Sequence, residues 1–403
     1  MDVLRKVKLV DEIELIYGKR LTKSERISGE IPVYGANGIV DYHVEGCFKG
    51  PGIIIGRKGT VGSLKYSKKD FWAIDTTYVL KPKSKVDDVR FWYYFLKTLN
   101  LNKMNTHSAV PGLNRENVYL RNVDVLAAYS ERKAVADILF SFDEKIEVND
   151  QINKKLEEIA GLIFNQWFVD FEFPNKEGQP YKSSGGEMVK SELGMIPKGW
   201  NVKTLDDLTT LIIDHRGKTP KKLGGDWAEN GYKVVSAKNI KNNRIVKKED
   251  IKYLSTEIYN KWMGTPLEDQ DILMTSEAPL GELYFLTEKA DYCLSQRLYG
   301  IRADKNLILP SIMFMYLNTP QIKREINNRA TGPTILRITQ SDLRKVQMIV
   351  PSLDIQNQIS DLIGEYLKKI YENEKQNEVL RNLRNTLLPK LMSGEIRVSE
   401  GKV

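Results

Sequence analysis

Two stretches of this 403-residue chain return apolar side chains at alternating steps of three and four. From about Ser130 to Phe168 the row is Val135, Ile138, Phe142, Ile152, Leu156, Ile159 and Ile163, with Lys145 and Asn149 breaking it. From about Asp354 to Met392 it is Ile359, Leu362, Tyr366, Leu380, Leu383 and Leu387, interrupted by Lys369, Asn373 and Gln376. Each row predicts a long amphipathic helix, and two matched rows with Asn near both midpoints predict that the helices pair as a coiled coil. The seam is expected at Ile138, Phe142, Asn149, Leu156, Ile159 and Ile163 on the first helix and Leu362, Tyr366, Asn373, Leu380, Leu383 and Leu387 on the second. An antiparallel pair is expected to bring Asn149 and Asn373 together across it. Ahead of each helix, short runs rich in Val, Ile, Tyr and Gly predict strands and turns.

The chain repeats itself once. Pro51–Gly56, Phe71–Asp75 and Phe91–Leu96 match Asp271–Ser276, Asp291–Ser295 and Ser311–Tyr316 at one offset of 220 residues. Leu113–Val118 matches Ile338–Leu343 at 225, and Gly18-Lys19 matches Gly217-Lys218 at 199, so the second copy carries roughly twenty extra residues, expected between Thr219 and Arg244. Between the copies, the Pro, Gly and Ser content of Asp170–Trp200 reads as a linker. The expected organisation is a first α/β domain over 1–129, a helix over 130–168, a linker over 169–195, a second α/β domain over 196–353, a helix over 354–393 and a tail over 394–403. The fold class is mixed α+β, two pseudo-symmetric α/β domains with two long antiparallel helices.

Composition narrows the function classes. The longest apolar run, near Leu307 to Leu317, contains Pro310 and Ser311 and is too short to span a bilayer. Two distant cysteines, Cys47 and Cys293, and a start without a signal-peptide core point to a reducing cytoplasm. Only His43, His107 and His215 are present, none beside a cysteine, so no metal site is expected. Sixty-one Lys and Arg against 53 Asp and Glu give a net charge of +8, compatible with a polyanionic partner but common without one. Gly217-Lys218-Thr219 ends like a phosphate-binding loop, yet Ile212 stands where its first glycine belongs. No catalytic constellation emerges.

What remains is polar and basic sequence on loops, interleaved with glycine and aromatics. The first copy offers Lys19, Arg20, Lys23, Tyr34, Asn37, Arg57, Lys58, Thr60, His107 and Ser108. The second offers Arg216, Lys218, Thr219, Lys238, Asn239, Lys241, Ser276, Gln296, Arg297 and Thr331. Arg and Lys can hold phosphates or guanine edges, Asn and Gln can pair with adenine, and glycine lets a backbone approach a groove. The plainer reading of each residue alone is a solvated loop.

The two-copy order, together with Trp167–Gly178, Glu192–Trp200 and Leu387–Ile396, resembles the DNA-specificity subunit of type I restriction-modification systems. The resemblance covers essentially the whole chain. It implies a non-catalytic subunit with two target-recognition domains held apart by two antiparallel helices, reading a bipartite site on double-stranded DNA. It further implies two methyltransferase subunits that carry S-adenosylmethionine, optional restriction subunits that use ATP and Mg, and no cofactor on this chain. One departure is Leu126–Tyr129, which lacks the proline present in the matching Val350–Leu353. The rival readings are a coiled-coil scaffold without DNA specificity and a self-sufficient methyltransferase or nuclease.

Overall fold

The computed structural model describes residues 3–104 and 112–398. It divides into two compact units, one formed by residues 1–149 with 375–403, the other by 150–374. In unit 1, β1 (Leu4–Lys8) pairs antiparallel with β9 (Asn122–Leu126). A four-stranded antiparallel sheet has the order β2 (Ile13–Tyr17), β8 (Thr77–Pro82), β5 (Gly52–Gly56), β6 (Leu64–Ser67). A three-stranded sheet places β3 (Ile31–Gly35) between β4 (Gly38–His43) and the parallel β7 (Trp72–Ala73). The apolar run Ile53–Ile55 is buried: Ile53 and Ile55 share a core with Phe91, Trp92 and Phe95 of the helix Val89–Thr98, capped by Asp88, while Ile54 faces the opposite side, against Tyr34 and Phe71.

Unit 2 repeats this topology. β12 (Asn201–Thr204) pairs with β22 (Gln347–Val350), and the four-stranded sheet has the order β13 (Thr209–Asp214), β21 (Leu298–Ala303), β18 (Ile272–Thr275), β19 (Leu283–Phe285). β14 (Tyr232–Val235) lies between β17 (Lys252–Leu254) and the parallel β20 (Tyr292–Leu294). Pairing registers locate the extra residues more closely than sequence matching does. Val33 pairs with Trp72 as Lys233 pairs with Tyr292, an offset of 200, whereas Asp41 and Tyr253, their next-strand partners, are 212 apart. The insertion therefore follows β14, as the hairpin of β15 (Ile240–Lys241) and β16 (Arg244–Ile245) with its flanking turns, and continues in the helix Thr256–Trp262. The expected window from Thr219 to Arg244 begins too early, because loop sequence carries no register.

The long helices span Tyr129–Phe164 and Leu353–Met392. Both start at equivalent residues, 224 apart, so the missing proline does not move the first helix. Positions 132, 135, 139, 142, 146, 149, 153, 156, 160 and 163 step by threes and fours, and 356 to 387 repeat them at the same offset. Most of this series is buried, including Leu139, Ile146, Asn149, Asn153 and Ala160 on the first helix and Ile359, Ile363, Ile370, Asn373 and Asn377 on the second. Four expected seam residues fall outside it: Ile159, Leu362 and Leu383 are exposed, and Ile138 packs beside the unit 1 core. An apolar row misplaces a seam whose centre is polar.

Nor do Asn149 and Asn373 meet. In unit 1, Asn149 Nδ2 donates to Asn377 Oδ1 and Gln376 Oε1, each at 2.8 Å. In unit 2, Asn373 Nδ2 donates to Asn153 Oδ1 at 2.8 Å. Across antiparallel helices, facing residue numbers have a constant sum, here 526 for both Asn pairs, so a residue meets its own counterpart at one level only. Asn149 lies two residues from that level and meets the counterpart of Asn153 instead.

The stretch read as a linker is folded onto unit 2. Phe173 stacks between Tyr181 and Trp200 at 4.6 and 5.0 Å, Phe171 and Phe168 also touch Trp200, and β10 (Met188–Ser191) and β11 (Gly194–Pro197) form a hairpin. Its glycines and prolines shape turns, while four aromatic rings supply the burial that composition averages away. No helix among the described residues is long and apolar enough to cross a membrane.

Candidate nucleic-acid interface

In unit 1 the candidates gather where β5 ends. The chain turns through Arg57–Thr60 and returns so closely that a Cβ on Gly56 would lie 2.1 Å from the Thr60 carbonyl oxygen. The amides of Arg57 and Lys58 both donate to Thr76 O, which anchors the loop against the start of β8. Arg57 Nη2 donates to Asp75 O at 2.9 Å, and its guanidinium lies 5.2 Å from the Tyr17 ring centre and 5.9 Å from that of Tyr78. Arg115, on the helix Arg115–Tyr119, lies 5.2 Å from the same Tyr17 ring. These contacts hold two cations beside a half-exposed tyrosine. Burial pushes the Tyr78 hydroxyl up to about 12, so it stays a donor, to Leu113 O at 3.1 Å.

Around this cluster, Lys58 and Thr60 are exposed on the loop, and Ser63 Oγ donates to Ala36 O, tying the loop to the β3–β4 turn that exposes Asn37. Lys19 and Arg20 are exposed after β2, with Lys19 O accepting from Trp72 Nε1 at 2.9 Å, and Lys23 is exposed in a turn capped by Thr22. Tyr34 is buried edge-on against Phe71 and is a core residue, because its inward place on β3 leaves no path to a ligand. His107 and Ser108 lie outside the described residues.

Unit 2 uses the same sheet end with different chemistry. Asp214 holds Arg216 through Nε and Nη2 at 2.8 and 2.5 Å, and that guanidinium lies 5.7 Å from the Tyr299 ring centre. Glu277 holds Arg297 at 2.7 Å. Tyr299 donates its hydroxyl to Ile338 O at 3.0 Å, the counterpart of the Tyr78 bond. Thr331 is exposed and exchanges both backbone bonds with Arg337.

Other candidates in this unit shape the loops. Lys218 Nζ donates to Trp262 O at 2.6 Å, Gln296 Nε2 donates to Lys218 O at 2.7 Å, and Thr219 Oγ1 accepts from Lys222 N. Lys238 pairs with Asp250, and Lys241 is exposed on β15. Asn239 and Ser276 are buried and do not face a ligand. Asn239 is 1% exposed, accepts from Ser236 and donates to Val246 O and Lys247 O, so its amide is consumed in closing a turn. Ser276 is buried, with its backbone bonded to Arg297 O and to Ile338 N.

Tyr17, Arg115, Asp214, Glu277 and Arg337 belong to these clusters and were not among the sequence candidates. One signal was available: the repeat places Glu277 within one residue of the counterpart of Arg57.

His215, between Asp214 and Arg216, is 7% exposed, and burial with Lys218 nearby pushes it down to about 4, against the opposing pull of Asp214. The unfolded chain therefore binds its proton first. This residue's stabilising contribution should be complete above about pH 6.5 and be lost as pH falls towards 4. Urea unfolding at pH 7 and 5 should show a steeper loss for the wild type than for His215→Gln. Equal losses would show that His215 does not resist protonation.

Two copies of one mixed α/β topology, each with a basic and aromatic loop cluster at the same sheet end, define a duplicated recognition fold. The chain belongs to the family described as the type I restriction modification DNA specificity domain, which matches residues 4–158 and 197–381. It is therefore a type I restriction-modification specificity subunit, a DNA sequence recognition protein. It is 27% identical over 322 residues to the type I restriction enzyme MjaIX specificity subunit of Methanocaldococcus jannaschii, covering 77% of this chain and 69% of that one. It is 24% identical over 386 residues to the HindI specificity subunit of Haemophilus influenzae, covering 81% and 82%. The crystal structure of the S subunit of a type I restriction-modification system from M. genitalium shares the fold, with a TM-score of 0.68, 14% identity and 96% of each chain covered.

Proposed function

We propose that each unit reads one half of a bipartite duplex site, and that the chain positions two methyltransferase subunits, and restriction subunits where present, on that site. In this reading the chain contributes recognition and no catalytic group; S-adenosylmethionine resides on the methyltransferase subunits, and ATP and Mg on the restriction subunits. The observation that carries it is the repeated sheet end, where cations flank the paired Tyr17–Tyr78 and Asp214–Tyr299, Arg57 and Arg115 in one unit and Arg216 and Arg297 in the other. Both clusters combine phosphate-binding cations with base-edge chemistry, and their residues differ, as two unlike half-sites require. The helices supply support for protein partners: Val148, Ile152, Ile159, Leu162, Leu362, Val379 and Leu383 expose apolar side chains there.

The test is to co-express the chain with its methyltransferase subunit and map methylated positions on random-sequence duplex using labelled S-adenosylmethionine. Two defined half-sequences separated by undefined bases are expected, with duplex affinity that falls steeply as salt rises. A complex without sequence preference would overturn the reading in favour of a protein scaffold.

A further inference from the structure

Resting on that reading, we infer that Arg216 reads a guanine edge in the half-site of unit 2, with Asp214 as the positioning residue that aims it. The two units bring a guanidinium to one place from different loops. Tyr17 pairs with Tyr78 on β8 as Asp214 pairs with Tyr299 on β21, and the two matched tyrosines send their hydroxyls to Leu113 O and Ile338 O. Arg57 lies 5.9 Å from the Tyr78 ring centre, and Arg216 lies 5.7 Å from that of Tyr299. In unit 2 the backbone place of Arg57 belongs to Ser276. Arg57 N donates to Thr76 O and Arg57 O accepts from Leu113 N, as Ser276 N donates to Arg297 O and Ser276 O accepts from Ile338 N. With a buried serine there, unit 2 supplies its guanidinium from the end of β13 instead. An arginine thus reaches the matched tyrosine by a second route, as a shared ligand contact requires and a shared backbone alone does not.

The two arginines are held differently, and the difference assigns Arg216 to a base. The Arg216 amide donates to Asp214 Oδ1 at 3.0 Å, and its Nε and Nη2 both donate to Oδ2, at 2.8 and 2.5 Å. His215 between them is buried, so Asp214 and Arg216 stand on the opposite side of the chain. The carboxylate takes the Nε side of the guanidinium. Among the described residues nothing bonds Nη1, so the outer edge of this half-exposed side chain keeps parallel N–H donors on Nη1 and Nη2. That fork matches the O6 and N7 acceptors of guanine. A phosphate draws on net charge, which Asp214 offsets, whereas a guanine edge draws on donor direction, which Asp214 fixes. Arg57, by contrast, has no carboxylate partner among the described residues, and tyrosine faces and one backbone carbonyl leave its charge whole.

The experiment uses the full chain in complex with its methyltransferase subunits, and sequences the duplexes it retains from a random-sequence pool for wild type, Arg216→Lys and Asp214→Asn. Lysine keeps a cation but loses the fork, so Arg216→Lys separates base reading from backbone binding. It should relax selection for one guanine by about tenfold to a hundredfold in one half-site and leave the other half-site unchanged. Asp214→Asn keeps the fork but loosens its aim and frees its charge. It should relax the same base pair while the salt dependence of binding steepens by about one in slope. The unaltered half-site reports that each variant is folded. Arg216→Lys with the wild-type motif, or relaxation at different base pairs in the two variants, would overturn the assignment while leaving bipartite reading intact. So would a uniform loss of affinity with a shallower salt slope in Arg216→Lys, which would make Arg216 a phosphate contact. A wild-type complex without any motif would instead defeat the proposed function itself.

Discussion

Arg132→Ala should cost unit 1 about 3–5 kcal/mol, the range for removing one partner of a buried ion pair. Arg132 is fully buried, donating from Nε to Leu126 O and from Nη1 to Asp87 Oδ2, each at 2.8 Å, between the rings of Phe91, Trp92 and Tyr129. Asp87 also accepts from Trp92 Nε1 at 2.7 Å, so one carboxylate links the first turn of the long helix to the helix of the recognition fold. Burial already pushes the Asp87 carboxyl up, and Arg132 opposes that shift. Without the guanidinium Asp87 must protonate or admit water. Arg132→Met restores volume without charge, and adding Asp87→Asn to it should recover most of the loss, since Asp87 then leaves no buried ion and Glu12, 3.5 Å from Arg132, keeps its closer partner Arg5 at 2.7 Å. Hydrogen exchange of β5 and β8 amides reads this locally. Exchange in Arg132→Ala within about 1 kcal/mol of wild type would show that the pair is replaceable by solvent.

Seven residues inserted after Gln151 and seven after Lys375 should leave both half-sequences of the methylated site intact and widen the unread gap by up to about three base pairs. A heptad adds roughly 10 Å of helix at 1.5 Å per residue, against 3.4 Å per base pair of duplex. The seam positions repeat at a single offset of 224 residues, so a full heptad in each helix preserves the three-four pattern and both Asn pairs. Inserting the heptad in one helix alone cannot preserve them, because the Asn149–Asn377 and Asn153–Asn373 pairs would then require two registers at once. That variant should lose methylation instead of gaining spacing. Unchanged spacing in the double insertion would show that the helices do not set the distance.

Equal spacing also explains which parts of the coiled coil were legible. Phe142, Leu156 and Ile163, with Tyr366, Leu380 and Leu387, fall in the three-four series and are partly buried. Ile159 and Leu383 satisfied the same apolar rule yet face outward, because the positions beside them carry the contact. Arg132 and Gln356 show the converse. Both are buried at matched positions of the three-four series, where the helix packs on its own unit; Gln356 exchanges bonds with Leu307 O and Leu309 N, yet polar residue types in a helical row read as solvated. Among the loop candidates, Arg57, Lys58 and Arg216 lie on the loop clusters, whereas Tyr34 and Asn239 are consumed by the fold.

By itself the sequence determined the duplication, the strand-then-helix order in each copy and the existence of two long paired helices, because repetition and the three-four period are properties of residue order. Only tertiary structure decided which side of each helix is inside, which Asn faces which, and that Ser276 stands in unit 2 where unit 1 has Arg57. Those outcomes depend on strand register, which joins residues dozens of positions apart, and on the sum rule of antiparallel pairing, which joins residues more than two hundred apart. A local pattern of apolar and polar residues has no way to encode them.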